Sequence, residues 1–230
     1  GDVIEVRPVA CTPGEVVEVL DRFTGPIAQV PPMHSALKKD GKALYEYARQ
    51  GEVVDRPARH VVIHELELID MQLAGEAPFL SLRVRCSKGT YIRTLGEDIG
   101  EALGCGGHLT RLRRTATGGF QEHQCVTLAD LESLSEAERT SVLLPVQDLL
   151  EGHTPVMLDA DNAGRFLSGV RRRGGWADSA RIAVYGPPPQ GDLPSPTGVL
   201  LGSAHAHAGE LIPGRLLSPI EIQQILETAT

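Results

Sequence analysis

Residues 79–104 read FLSLRVRCSKGTYIRTLGEDIGEALG, and their hydrophobic period switches midway. In the first part Leu80, Leu82, Val84 and Cys86 share one face, while Ser81, Arg83 and Arg85 share the other, which is a strand pattern. Gly89 and Thr90 interrupt it. Ile92, Leu95, Ile99 and Leu103 then recur at helical spacing, with Gly104 placed to end the helix. A strand that feeds an amphipathic helix requires a sheet with a helix against one face. The preceding run RHVVIHELELIDM (residues 59–71) also reads as a strand, and the linker is short enough for an antiparallel hairpin.

Upstream, DVIEVRPV reads as a short strand. Thr12-Pro13-Gly14-Glu15 is a helix start, with a hydroxyl cap, a first-turn proline and a glutamate to reach back. Val16, Leu20 and Phe23 give that helix an apolar face, and Gly25 and Pro26 end it. Pro31-Pro32 is stiff, Asp40-Gly41 is a turn, and Ala43 to Gln50 reads as a short helix stopped by Gly51. Lys42, Tyr45 and Arg49 fall on one side of it. HLTRLRRTATGGF is expected to return as a strand, and VTLADLESL and SEAERTSVLLPVQDLL to form helices capped by Thr127 and Ser135. Beyond Gly152 short strands dominate (TPVMLD, ARIAVYG, TGVLLGSA), around a Pro-rich loop PPPQGDLPSPTG. SPIEIQQILETA closes as a helix with its own capping box. The domains are therefore drawn at residues 1–150 and 151–230.

The net charge of −8 is unevenly spread. Residues 121–161 carry nine acids and one base, whereas 83–114 sum to +4 and 28–59 to +2. Such basic segments suit a polyanion partner, with Tyr45 available for stacking, or else form an ordinary solvated surface. Cys11, Cys86, Cys105 and Cys125 are scattered without a C-x-x-C pair, so free thiols in a reducing, cytoplasmic setting are expected and a structural zinc site is not. No apolar run approaches the ~20 residues that cross a bilayer.

Arg93 breaks a local rule. It lies in the opening turn of its helix, where the dipole disfavours a cation by a few tenths to about 1 kcal/mol. An exposed pair with Glu97 would return only ~0.3–0.5 kcal/mol. The local terms cancel, which flags the residue for function. A guanidinium beside Ile92, at the edge of the buried face, suits a carboxylate or phosphate held in its fork.

CSKGTYIRTLGEDIGEALGCGGHLTRLRRTATGGF closely resembles the second half of the catalytic domain of the tRNA pseudouridine synthase B (TruB-type) family. FTGPIAQVPPMHSALKKDGKALYEYARQGEVV resembles that family's RNA-gripping insertion, placed here at about residues 24–59, and RPARHVVIHELELI follows in the family's order. The resemblance is strong over residues 1 to about 145 and weaker beyond. It implies an α+β pseudouridine synthase fold, with a mixed, largely antiparallel sheet and a small C-terminal β domain of the PUA-like kind. It implies isomerisation of uridine 55 in the tRNA T-loop by an aspartate nucleophile, without metal or organic cofactor, in a cytoplasmic monomer that binds the T-arm and no membrane. Arg93 matches the arginine that orients the nucleophile, Tyr91 a tyrosine at the uracil pocket, and Leu112 a leucine beside the flipped base. The insertion supplies the RNA-binding residues His34, Lys38, Lys39, Lys42, Tyr45 and Arg49, joined by Lys88 and Arg111.

Two departures qualify the match. His34 stands where the family usually has tyrosine. The family's nucleophile lies in a segment resembling G-H-x-G-x-L-D-P, which is absent from residues 1–230, and the family's catalytic tyrosine is missing as well; MLDAD at Met157–Asp161 lacks the Gly-rich context. The chain is thus expected to lack the N-terminal part of the catalytic domain and to be inactive alone. The rival reading is a tRNA-binding or tRNA-folding module that never had catalysis.

Overall fold

Thr12 sets the first helix. Its hydroxyl accepts from the Glu15 N–H at 3.3 Å, and the Glu15 carboxylate accepts from the Thr12 N–H at 2.7 Å. Two donors at the helix end are thereby satisfied within the chain. In this computed structural model, which describes residues 3–188 and 198–228, helix α1 (Pro13–Arg22) leads into strand β1 (Gly25–Gln29). A small hairpin of β2 (Lys38–Lys39) and β3 (Lys42–Ala43) follows, then α2 (Leu44–Arg49). Asp40 and Gly41 both take positive φ, 51° and 81°, the turn geometry that matches the twist of a two-residue hairpin.

Strands β4 (Arg59–Gln72) and β5 (Phe79–Cys86) form the expected antiparallel hairpin, and helix α3 (Ile92–Ala102) comes next. The sheet order is β1-β4-β5. Gly25–Gln29, included in the insertion on sequence grounds, is a sheet strand: it pairs with β4 from Gly25↔Ile63 to Gln29↔Arg59. Val16, Val19 and Leu20 of α1 pack with Leu95 and Ile99 of α3 and Ile63 of β4; Leu66, Leu68, Leu82 and Val84 are half-buried against them. Full burial of such a side chain contributes roughly 1.5–3 kcal/mol.

The chain folds as two units, up to Leu112 and from Arg113 onward. That division lies upstream of the boundary near 150 drawn from composition. In the second unit α4 (Leu128–Ser133) and α5 (Glu136–Ser141) carry the Thr127 and Ser135 caps. Then come β8 (Thr154–Met157), α6 (Ala160–Leu167), β9 (Arg172–Arg173), β10 (Ser179–Gly186), β11 (Val199–His207), β12 (Glu210–Leu216) and α7 (Pro219–Thr228). The five-stranded order is β8-β10-β11-β12-β9, antiparallel except that β8 runs parallel to β10. Phe166, Ile182, Val184, Leu201, Leu211 and Ile222 form its core. Most of the Pro-rich loop, residues 189–197, lies outside the described residues.

Two expected strands are not strands. Residues 3–10 have no strand pairing, and Val3, Ile4 and Val6 are 79%, 100% and 84% exposed. Arg7 ties this segment down by two hydrogen bonds to the Glu101 carboxylate on α3, which hold that acid below its usual range. Residues 107–115 are likewise irregular, and only β6 (Ala116–Thr117) and β7 (Phe120–Gln121) pair beyond them. The cause is a close approach. The Gly106 and Cys105 N–H groups both donate to the Gly100 carbonyl, at 2.9 and 3.2 Å, so the chain turns back onto α3 rather than onto a sheet edge.

A β-carbon on Gly100 would overlap the Gly106 carbonyl and come within 2.5 Å of the Gly107 nitrogen. The obstacle is backbone, which cannot swing aside. We expect Gly100→Ala to destabilise the chain by about 1–3 kcal/mol, read as a lowered midpoint in urea; an unchanged midpoint would show that the 104–107 loop yields freely.

Candidate active site

The first turn of α3 has no side-chain cap of its own. Tyr91 at the cap position is extended (φ −95°, ψ 101°) and its side chain caps nothing. Tyr91 itself is held by a residue of β1. Gln29, only 2% exposed, accepts from the Tyr91 N–H at 2.8 Å and donates to the Tyr91 carbonyl at 3.2 Å. One amide therefore grips both polar groups of one residue. The turn before it is also fixed: Thr90 Oγ1 donates to the Ser87 carbonyl at 2.9 Å, and the Val62 N–H of β4 donates to Ser87 Oγ at 2.9 Å. Lys88 is exposed on this turn.

Arg93 projects from that turn into solvent. Among the described residues it enters no ion pair, so the alternative of pairing with Glu97 is not realised. Its guanidinium donates instead to the backbone carbonyl of His34 at 3.0 Å. His34, whose side chain is exposed, belongs to the stretch 30–58 that leaves the sheet after Gln29 and returns at Arg59. Arg56 braces the stretch by donating to the Pro31 carbonyl at 3.0 Å.

The excursion is tied to the same spot. The Tyr45 and Leu44 N–H groups donate to the Ser35 and Leu37 carbonyls at 3.1 and 2.8 Å, docking the start of α2 beside His34. Its cations pair differently from the expected stripe. Arg49 does lie over the Tyr45 ring, at 5.2 Å, but Lys42 precedes the helix and sits over Tyr47 at 4.3 Å while donating to Gln50. Lys39 donates to the Asp55 carbonyl at 2.9 Å, and Lys38 is exposed. The result is a braced, basic, ring-bearing projection.

Arg111 and Leu112 lie on the irregular return along α3, and Leu112 is 65% exposed. Gly107 faces Gly100, and Leu109 packs at Gly96, one turn nearer the start of α3. The last contact of this return with α3 that the structure gives is Leu109 at Gly96. The structure thus joins Arg93, His34, Tyr91 and Lys88 by direct bonds or a shared turn, with Tyr45 docked one residue beyond His34, and brings neither Arg111 nor Leu112 into a described contact with them.

Sequence reasoning missed Gln29, which lies in the quoted run but carries no charge, ring or periodicity signal. It also missed Ser35 and Thr94, whose hydroxyls are buried beside His34 and Arg93 without a hydrogen-bond partner among the described residues. No group of three or more metal-ligating side chains occurs among the described residues, and no helix there is long and apolar enough to cross a membrane.

Solved structures share this architecture. The Cbf5 complex with Nop10 and Gar1 matches with a TM-score of 0.60 at 22% identity, over 95% of this chain and 62% of that one. An H/ACA ribonucleoprotein bound to a substrate RNA containing 2′-deoxyuridine matches with 0.62 at 18%, over 93% and 64%. These define the fold class: the pseudouridine synthase fold with a C-terminal domain. Residues 1–92 match the N-terminal domain of the TruB family pseudouridylate synthases, and 93–151 match the tRNA pseudouridylate synthase B C-terminal domain. A protein of Verminephrobacter eiseniae named tRNA pseudouridine synthase B is 53% identical over 96% of this chain and 64% of its own length. Its namesake from Ralstonia nicotianae is 48% identical over 94% and 68%. The chain belongs to the TruB family, and it spans about two thirds of the length of the curated relatives it matches.

Besides Glu101, a second group on α3 is held off its ordinary titration. Partial burial, with the neighbouring Glu97 charge second, raises the Asp98 carboxyl above its usual 3.8. A raised acid binds its proton more tightly in the folded state, so it costs stability as pH rises through and beyond that window. Asp98→Asn is expected to raise the melting temperature at pH 7 and to leave it unchanged below pH 3.8. A gain of equal size at both pH values would mean that charge is not the cause.

Proposed function

We propose that this chain forms the RNA-gripping and arginine-bearing part of a tRNA pseudouridine synthase that converts uridine 55 of the T-arm, working as a monomer in the cytoplasm. The observation that carries the reading is Arg93: an exposed guanidinium in a helix's first turn, held by a neutral carbonyl and facing no carboxylate among the described residues. An aspartate supplied from outside residues 1–230 would fit its fork. The guanidinium would keep that carboxylate ionised and aim it at ribose C1′. The bond from C1′ to uracil N1 breaks, the base turns, and C1′ is rejoined at C5, whose proton leaves as N1 gains one. Atoms and electrons balance without a co-reactant. The base must first leave its stack, and the Lys38–Arg49 projection, with Lys88 and Arg111, would hold the strand while it does. The names of the relatives support tRNA as the substrate class.

Tritium release from 5-tritiated uridine in a T-arm stem-loop measures turnover. In a chain extended upstream with the family's nucleophile-bearing segment, Arg93→Lys should lower kcat on the order of 100-fold, because a point charge replaces a two-point fork. Wild-type kcat would refute the role. Residues 1–230 alone should release no tritium above background; release would place the nucleophile inside them.

Binding without turnover would leave the rival, a tRNA-folding module, and the contacts are testable separately. Each phosphate contact contributes roughly 0.7–0.9 to the slope of log affinity against log salt. Replacing Lys38, Arg49 and Lys88 together by alanine should flatten the slope for the stem-loop by about 2 or more. An unchanged slope would remove these residues from the interface.

A further inference from the structure

We infer that Gln29 is a positioning residue for the reaction: its buried amide sets the peptide of Tyr91, and through it the first turn of α3 that carries Arg93. The inference rests on the function proposed above.

The geometry leaves little else for Gln29 to do. It ends β1, where backbone pairing with Arg59 fixes its main chain in the sheet. Its side chain is 2% exposed, a placement that would be costly for an amide without partners. Both ends are used on one residue, with Oε1 receiving the Tyr91 N–H at 2.8 Å and Nε2 donating to the Tyr91 carbonyl at 3.2 Å. That carbonyl also accepts the first bond of the helix, from the Leu95 N–H at 3.0 Å. The clamp therefore acts where the direction of α3 is decided. Two residues on, Arg93 reaches back to His34, five residues beyond Gln29. Segments 29–34 and 91–93 are thus tied twice, once by a buried neutral clamp and once by an exposed cation. The buried tie holds whether or not Arg93 engages another group. When Arg93 turns to an incoming carboxylate, Gln29 keeps Tyr91 and the turn in place.

Gln29→Met preserves volume and removes both bonds; Gln29→Glu keeps the acceptor and loses the donor. The first readout is amide hydrogen exchange in the 230-residue chain, with Val19 and Ile99 as references for global opening. The Tyr91 amide should exchange at least about tenfold faster in Gln29→Met, with the references unchanged, and stay within about threefold in Gln29→Glu. The second readout is turnover in the upstream-extended chain. Gln29→Met should lower kcat about tenfold or more with KM for the stem-loop within twofold, and Gln29→Glu should lower it less. A merely structural defect would speed exchange at Val19 and Ile99 and change KM along with kcat. Unchanged Tyr91 exchange in Gln29→Met, or wild-type kcat in every variant that folds, overturns the inference. If the extended wild-type chain makes no pseudouridine, the proposed function fails, and the exchange experiment alone decides whether Gln29 sets the turn.

Discussion

The pairing of β1 with β4 is the constraint on which the rest of the first unit depends. Five residues in antiparallel register bring Gln29 opposite Arg59, so a long excursion leaves and returns at one point of the sheet. Loop closure grows more costly only as the logarithm of length. A projection can therefore be inserted at such a neck without disturbing the strands. The register also turns the Gln29 side chain into the core, where it meets the cap of α3. One local pairing thus fixes both the root of the projection and the entry of the helix.

The clamp holds the cap residue of α3 where other helices are held by a cap side chain. α1, α4, α5 and α6 each begin with a Ser, Thr or Asp that satisfies its own helix. α3 begins with Tyr91, which offers no such acceptor, and takes its partner from a residue distant in sequence. A local cap stabilises a helix wherever the helix goes; a tertiary cap also fixes where it starts. At a turn that carries both Tyr91 and Arg93, the second property fixes where each of them stands.

This explains what could and could not be read in advance. The β4–β5 hairpin, α1, α2, α3 and the final helix were legible, because periodicity and capping residues are local. The strands expected at residues 2–9 and 108–120 have strand-like composition, but a strand needs an edge to pair with. Arg7 binds α3 instead, and Gly107 packs on the backbone of Gly100. β1 was hidden because Gly25 and Pro26 read as a break, and β12 because Pro213 falls inside it. Within the site, Arg93 could be flagged from the dipole rule and assigned a role by resemblance. Its contact with the His34 carbonyl could not be foreseen, since it depends on how the excursion folds back. Gln29 left no trace in the pattern, because a neutral amide signals its role only through burial.

The carbonyl at Arg93 matters for what the residue can still do. A guanidinium has five N–H donors, and the contact with His34 uses one of them. A hydrogen bond to a neutral acceptor nets about 0.5–1.5 kcal/mol and cancels no charge. A carboxylate at 4 Å in an environment of effective dielectric 20 attracts by about 4 kcal/mol before desolvation is counted. The resting contact thus orients Arg93 while leaving its charge uncancelled and most of its donors free. An internal salt bridge with Glu97 would have neutralised the same group. With that pair unmade, the fold keeps a full positive charge at the dipole-disfavoured end of α3, held in place by one hydrogen bond to a neutral carbonyl.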